Sequence, residues 1–260
     1  MTPGRRRFLR AAALGTVGAL ALASPAAAWT DAQLLWRFGR RLIPGLAPPD
    51  PNAVLGEAGR RSAAPARPRA EDVWGELVEG NRRFQSGRTW QRPLASLREQ
   101  TATASRPLAV VLACADSRVS PSAVFDAALG ELCEIRSAGQ VIDTPGIGSI
   151  EDAVEHLHVP LLLVLGHERC GAVAAAVTGE VMPTPGLRAL VERIAPAVER
   201  ARPIAEGEQL LRLAVEVNVR ERTRELIESS PILRARVAAR ELGVVQAVYR
   251  LTSGEVVRLG

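Results

Sequence analysis

The sequence predicts an α/β fold: a parallel central sheet with an added antiparallel C-terminal strand, flanked by helices. Three observations carry that expectation. Between residue 107 and about residue 180, strand-like apolar runs alternate with helical patterns, as they do in a parallel sheet. Two of those runs, "LAVVLAC" and "VPLLLVLGH", are continuous rather than alternating, which marks strands covered on both faces. The chain then ends in "VVQAVYRLTSGEVVRL", which reads as a hairpin turning at Ser253-Gly254.

Residues 1–28 read as a leader, not as part of the fold. A basic cluster precedes an apolar stretch from Ala11 to about Ala23, and Ala26-Ala27-Ala28 forms a small-residue cleavage site. Arg5-Arg6-Arg7-Phe8-Leu9-Arg10 matches the twin-arginine pattern, which predicts export to the periplasm or beyond. The apolar part is short and rich in Ala and Gly, so the alternative of an uncleaved anchor is the weaker one, and no stable membrane span is expected after cleavage. Residues 29–70 are Pro/Ala/Arg-rich and read as a tether, with "DAQLLWRFGRRLI" able to form one short helix. The organised domain is expected over 71–260.

Within it, Val73, Trp74, Leu77, Val78 and Phe84 recur with helical rhythm, and Gly87 stops that helix. "SLREQTAT" is a second short helix. After the first apolar strand, "SPSAVFDAAL" is expected to be helical, with Ser120 as cap and Pro121 at the first position. "ELCEIRSAG" is a short strand and "GSIEDAVEHLH" a helix. "CGAVAAAVTG" follows the strongest strand and stops at Gly179. "LRALVERIAPAVERA", "LRLAVEVNVRERTRELIESS" and "PILRARVAARELG" complete the helices.

Hydrophobic content of 47% with 23% charged residues supports a substantial core. All the basic residues are Arg, and the net charge is +5. Arg5, Arg6, Arg7 and Arg10 supply four of those charges, so the chain after residue 28 is close to neutral and gives no electrostatic case for nucleic acid or a membrane surface. The three cysteines, Cys114, Cys133 and Cys170, are too few and odd in number for a disulfide framework.

In parallel sheets, ligands bind beyond the carboxyl ends of the strands. The two most polar strand ends here are Cys114-Ala-Asp116-Ser-Arg118 and Gly166-His167-Glu-Arg-Cys170. His167 and Cys170, three apart across a turn into a helix, can share one metal. Cys114 can supply a third ligand if its strand neighbours theirs. Two sulfurs and one nitrogen suit Zn²⁺, and three protein ligands leave the fourth position open, as in catalytic zinc sites. The alternative is that the two thiols are merely buried apolar groups. The acid–base pair beside them weighs against it, because burying Asp116 and Arg118 without a task is unfavourable. An ionised Asp116 can accept a hydrogen bond from a zinc-bound hydroxide and so orient it. Arg118 keeps Asp116 ionised and in place. In this reading Asp116 and Arg118 are catalytic, and Asp116 is also able to approach the metal alongside Cys114, His167 and Cys170.

"CADSRVSP", "RSAGQVI", "GSIEDAVEHLHVPLLLVLGHERCGAV" and the C-terminal "SPILRARV…VVQAVYRLTSGEVVRL" resemble the β-class carbonic anhydrase family, over about residues 72 to 260. The resemblance implies Cys114, His167 and Cys170 as zinc ligands, Asp116–Arg118 as the catalytic dyad, and reversible hydration of CO₂ to bicarbonate. It also implies N-terminal helices packed on a partner subunit, and hence a homodimer or tetramer. The chain departs from the family's pattern at Ser137, at Gln140 in Ala138-Gly139-Gln140, and at Asp152. Val111 stands where members with a regulatory bicarbonate site carry an aromatic, which argues against such regulation, although Arg136 matches theirs. Two thiolates donate more charge than imidazoles, so activity is expected to need higher pH. Competing readings are a CS₂ or COS hydrolase on the same fold, and a zinc-holding inactive module.

Other residues draw plainer expectations. Cys133 points into the core. His156 and His158, at a helix end, are surface residues, with proton shuttling as the alternative. Glu168 and Arg169 form local helix-start or interface salt bridges. Trp29, Trp36, Trp74 and Trp90 pack helices.

Overall fold

The computed structural model describes residues 68–103 and 105–260. The expected leader, most of the tether with its short helix, Trp29 and Trp36 lie outside the described residues.

Helix α1 (Ala70–Gln85) opens the domain and turns its apolar stripe, Val73, Trp74 and Leu77, onto the sheet. Gly87, with φ of 67°, follows its end. Helix α2 (Leu94–Thr101) comes next and has no buried residue. Strand β1 (Ala109–Ala113) is buried throughout. A single helical turn, α3 (Pro121–Val124), leads to β2 (Leu132–Arg136), and a 3-10 turn at Ala138–Gln140 follows. Helix α4 (Thr144–Glu155) is capped by the Asp143 side chain, which accepts from the Gly146 amide at 2.9 Å. Then come β3 (Leu161–His167), α5 (Gly171–Thr178), α6 (Pro185–Ala201), α7 (Gly207–Ser229), α8 (Pro231–Ala238), β4 (Gly243–Tyr249) and β5 (Val256–Arg258).

The sheet order is β2-β1-β3-β4-β5, parallel throughout except for the antiparallel β4–β5 hairpin. The chain steps from β1 outward to β2, then crosses back to the other side of β1 to lay down β3. The reversal lies between β1 and β3, which is where an open α/β sheet forms its crevice. Side-chain alternation splits the core into two layers. Val111, Leu163 and Leu165 pack under α1, while Val110, Leu112, Leu162 and Val164 pack against α4, α7 and α8. A third cluster joins α5, α6 and α7 around Cys114 and Cys170.

Two expectations are corrected. The helix at "SPSAVFDAAL" ends after Val124, and Ser120 makes no side-chain cap. Asp126 adopts a left-handed φ of 46°, and distant arginines hold its carboxylate there, so tertiary bonds override the helical pattern. Trp90 does not pack a helix as Trp74 does. It is 63% exposed, with the guanidinium carbons of Arg83 and Arg92 lying 4.2 and 5.5 Å from its ring centroid.

Candidate metal centre

Cys114 is the first residue beyond β1, His167 the last of β3, and Cys170 the residue that precedes α5. Because β1 and β3 are direct neighbours, the two strand ends bring these side chains together. Arg169, at φ of 52°, makes the tight reversal that returns Cys170 toward His167. Sequence spacing places Cys170 within the first helical turn; the structure places it one position earlier, at the cap.

The donor set fits a tetrahedral ion. All three ligand atoms lie within 4.8 Å of one another, and all three residues are buried. The two sulfurs are 3.9 Å apart. Thiolates each about 2.3 Å from one tetrahedral zinc stand about 3.8 Å apart. His167 Nδ1 lies 2.9 Å from the carbonyl oxygen of Glu168, which can only accept. Nδ1 therefore carries the proton, and Nε2 presents a lone pair inward. That Nε2 belongs to a residue of 0% exposure and has no hydrogen-bond partner among the described residues. A buried acceptor without a partner calls for an explanation, and a metal supplies one.

The thiols are electrostatically unequal. The contact with Cys170 lowers the Cys114 pKa, because a neighbouring S–H stabilises the thiolate. The same contact, together with burial, raises that of Cys170. One sulfur of the pair ionises readily, and the second needs a cation beside it.

Asp116 meets Arg118 through two side-chain bonds, Nε to Oδ1 at 3.0 Å and Nη2 to Oδ2 at 2.7 Å, and Oδ1 also accepts the Arg118 amide at 2.9 Å. These bonds hold its carboxyl far below the usual carboxylate range. Its Oδ2 is 4.0 Å from the lone-pair nitrogen of His167. The carboxylate thus faces the ligand cluster, outside the three-atom set. Arg136 spans the same loop, with Nε donating to the Cys114 carbonyl at 3.1 Å and Nη2 to the Asp116 carbonyl at 2.7 Å.

Cys133 is half-buried on β2 against the Val110–Leu112 layer, and burial pushes its thiol up. His156 and His158 are exposed. Glu168 and Arg169 make no ion pair among the described residues, which corrects the expected local helix-start salt bridges. Glu168 instead ties the metal loop to the hairpin: its amide donates to the Tyr249 carbonyl at 3.0 Å, and its Oε2 accepts the Leu251 amide at 3.2 Å.

Three residues around the site carry more weight than their sequence pattern conveyed. Arg136 holds the loop, Gln140 reaches Cys114, and Asn218 reaches the 3-10 turn. Asn218 had a signal. In "LAVEVNVRE" it sits at helical spacing from Ala214, Val215 and Arg222, a lone amide on a buried face.

Residues 109–256 match the carbonic anhydrase family profile. The chain is 40% identical over 190 residues to carbonic anhydrase 2 of Mycobacterium tuberculosis, covering 71% of this chain and 90% of that protein. It is 38% identical over 189 residues to the carbonic anhydrase of Mycolicibacterium smegmatis, with 71% and 90% covered. Among solved structures, it resembles the beta-carbonic anhydrase CcaA with a TM-score of 0.59 at 25% identity, over 72% of this chain and 95% of that one. The Coccomyxa beta-carbonic anhydrase solved with acetazolamide gives a TM-score of 0.58 at 26% identity, over 70% and 84%.

Proposed function

The chain belongs to the β-class carbonic anhydrase family, and from that premise we propose that it converts CO₂ reversibly to bicarbonate and a proton, with zinc held by Cys114, His167 and Cys170. The carrying observation is the buried three-donor cluster with an ionised carboxylate facing it. Zinc, when bound, would lower the pKa of a water and so furnish a nucleophile, at higher pH than a site of three imidazoles would need.

The chain's own residues do the rest. The Glu168 carbonyl fixes the His167 tautomer. Asp116, ionised across the neutral range, accepts hydrogen bonds and cannot donate one. The attacking water's proton is therefore drawn to its carboxylate, and the oxygen lone pair is turned toward carbon. Arg118 holds that carboxylate by both oxygens, and Arg136 fixes the loop that carries it. The apolar cluster of Val173, Ile194 and Val198 around the sulfurs lowers the local dielectric and strengthens each of these interactions. Assays of CO₂ hydration and CS₂ hydrolysis on one zinc-loaded sample test the reading. CO₂ turnover alone supports it. CS₂ turnover alone, or inactivity toward both, sinks it.

Assembly as a homodimer or tetramer belongs to the same proposal. It is supported by α2, which has no fully buried residue among the described residues while exposing Leu94, and by exposed Trp90. Export by the twin-arginine route, with cleavage after Ala28, is supported by Arg5-Arg6-Arg7-Phe8-Leu9 and by the chemistry of the site. A two-thiolate centre is safest loaded in a reducing compartment and carried out folded. Among the described residues, no helix is long and apolar enough to cross a membrane. Changing Arg5, Arg6 and Arg7 together to Lys should retain active enzyme in the cytoplasm. A triple variant found outside in parental amounts would refute the route.

A further inference from the structure

Gly139 donates its amide to the Cys114 sulfur at 3.4 Å. That bond depends on a turn the chain would not adopt unaided. Gly139 has φ of 62° and Gln140 has φ of 56°, two consecutive left-handed residues, the second a long side chain ill suited to that region. Two buried amides hold the turn. In the amide orientation that gives both of its ends a partner, Gln140, 2% exposed, accepts the Cys114 amide on Oε1 at 3.2 Å and donates from Nε2 to the Gly139 carbonyl at 3.2 Å. Asn218, 0% exposed on α7, donates from Nδ2 to the same carbonyl at 2.8 Å. The Gly139 carbonyl therefore has both lone pairs engaged. The Oδ1 of Asn218 has no partner among the described residues. An unsatisfied buried oxygen is destabilising, so polarity is kept at this position for what Nδ2 holds. Space is equally constrained, since a Cβ on Gly139 would lie 2.5 Å from Ile194 Cδ1.

We propose that Gln140 and Asn218 are positioning residues for the metal ligand Cys114. They lock the Ala138–Gln140 turn so that the Gly139 N–H stays on the sulfur. An N–H···S bond draws charge from a thiolate and fixes its lone pairs. It thereby tempers donation by one of the two sulfurs and orients it toward the cation. Gln140 is thus a working part of the site.

The inference rests on the zinc assignment, and its test separates the two. Parent, Gln140→Met and Asn218→Leu are compared with Thr223→Val as control. The control removes a buried hydroxyl from the same helix, one that among the described residues bonds only to the Val219 carbonyl, at 2.7 Å. Zinc affinity is read by chelator competition, and the cobalt-substituted protein by its sulfur-to-metal charge-transfer band. The two test variants should bind zinc about 10- to 100-fold more weakly and shift the band, while the control matches the parent. If folded test variants keep parental affinity and spectrum, the positioning role is wrong. Should they not fold, the parent decides: with ¹¹³Cd in the site, the Gly139 amide proton should show scalar coupling to the metal through sulfur, and lack of coupling overturns the proposal. A parent that binds no metal would instead fail the zinc assignment itself.

Discussion

Asp116 and Asp126 both lie between β1 and β2, both are gripped by arginine, and in both the pKa is lowered, yet their surroundings differ in kind. Asp116 is bound by a neighbour, Arg118, and its side chain keeps 18% of its surface open. It faces a histidine nitrogen that has no hydrogen-bond partner among the described residues. Asp126 has a side chain only 3% exposed and is bound by Arg83 and Arg92, each at 2.6 Å, as well as by the Trp90 amide. Burial alone would raise its pKa; the bonds from Arg83 and Arg92 outweigh that and lower it. Nothing at Asp126 is left unsatisfied. A fully satisfied ion cluster holds chain segments together, whereas one that leaves a buried neighbour unsatisfied beside it marks chemistry.

The largest effect should come from breaking the cluster that Asp116 faces. Cys170→Ser is expected to remove most of the zinc and with it nearly all CO₂ hydration, because a hydroxyl is a far poorer ligand than a thiolate. Elemental analysis finding one zinc per chain in this variant would contradict the ligand set. Asp116→Asn is the next step down. Asn donates as well as accepts, so it no longer imposes one orientation on the reacting water. Zinc should stay bound while turnover falls at least about tenfold, the scale of losing an outer partner of a metal site. Parental turnover at full zinc content would remove Asp116 from the catalytic dyad.

The contrast between the aspartates also explains what could be read in advance. Cys114, Asp116 and Arg118 lie within five consecutive positions, and His167 and Cys170 within four. Strand alternation and one turn bring each set to a strand end, so local pattern suffices. Asp126 depends on Arg83 and Arg92, which sit 43 and 34 positions away, and no periodicity announces that pairing. The same blind spot turned "SPSAVFDAAL" into a helix on paper. Gln140 and Asn218 are likewise joined only by folding. The parallel sheet was legible because β1 is apolar throughout and β3 is apolar up to its end at Gly166-His167. The sheet order, which makes them neighbours, was not.

Asp126→Asn should separate stability from activity. Turnover is expected to stay within about twofold of the parent. Stability should drop by about 2 kcal/mol, less than a fully buried pair would cost, because Arg83 and Arg92 remain partly open to water. The pH dependence follows from the sign of the shift. A carboxyl whose folded pKa is lowered stabilises the protein above its unfolded pKa of about 3.9, and that contribution is lost as pH falls through the folded value. Urea midpoints for the parent should therefore fall on acidification below about pH 4, and the variant should show a shallower fall. If Asp126→Asn instead reduced turnover as strongly as Asp116→Asn does, the contrast between the two carboxylates would collapse.

The smallest effect tests whether the Asp126 cluster ends at the chain's own surface. Trp90 gives Asp126 only its backbone amide, while its indole stands against Arg83 and Arg92 with 63% of the residue open. Trp90→Ala leaves the amide in place. Within one chain it removes only exposed cation–π contacts, worth about 0.5–1 kcal/mol. In a monomer the loss should stay near that value at any protein concentration. If the indole seats in a partner subunit, as the unburied α2 beside it argues, the variant should instead lose stability that grows on dilution, and sedimentation should find smaller species. An effect of about 1 kcal/mol, unchanged by dilution and with the oligomer intact, would confine Trp90 to its own chain. The assembly contact would then have to be sought on another face.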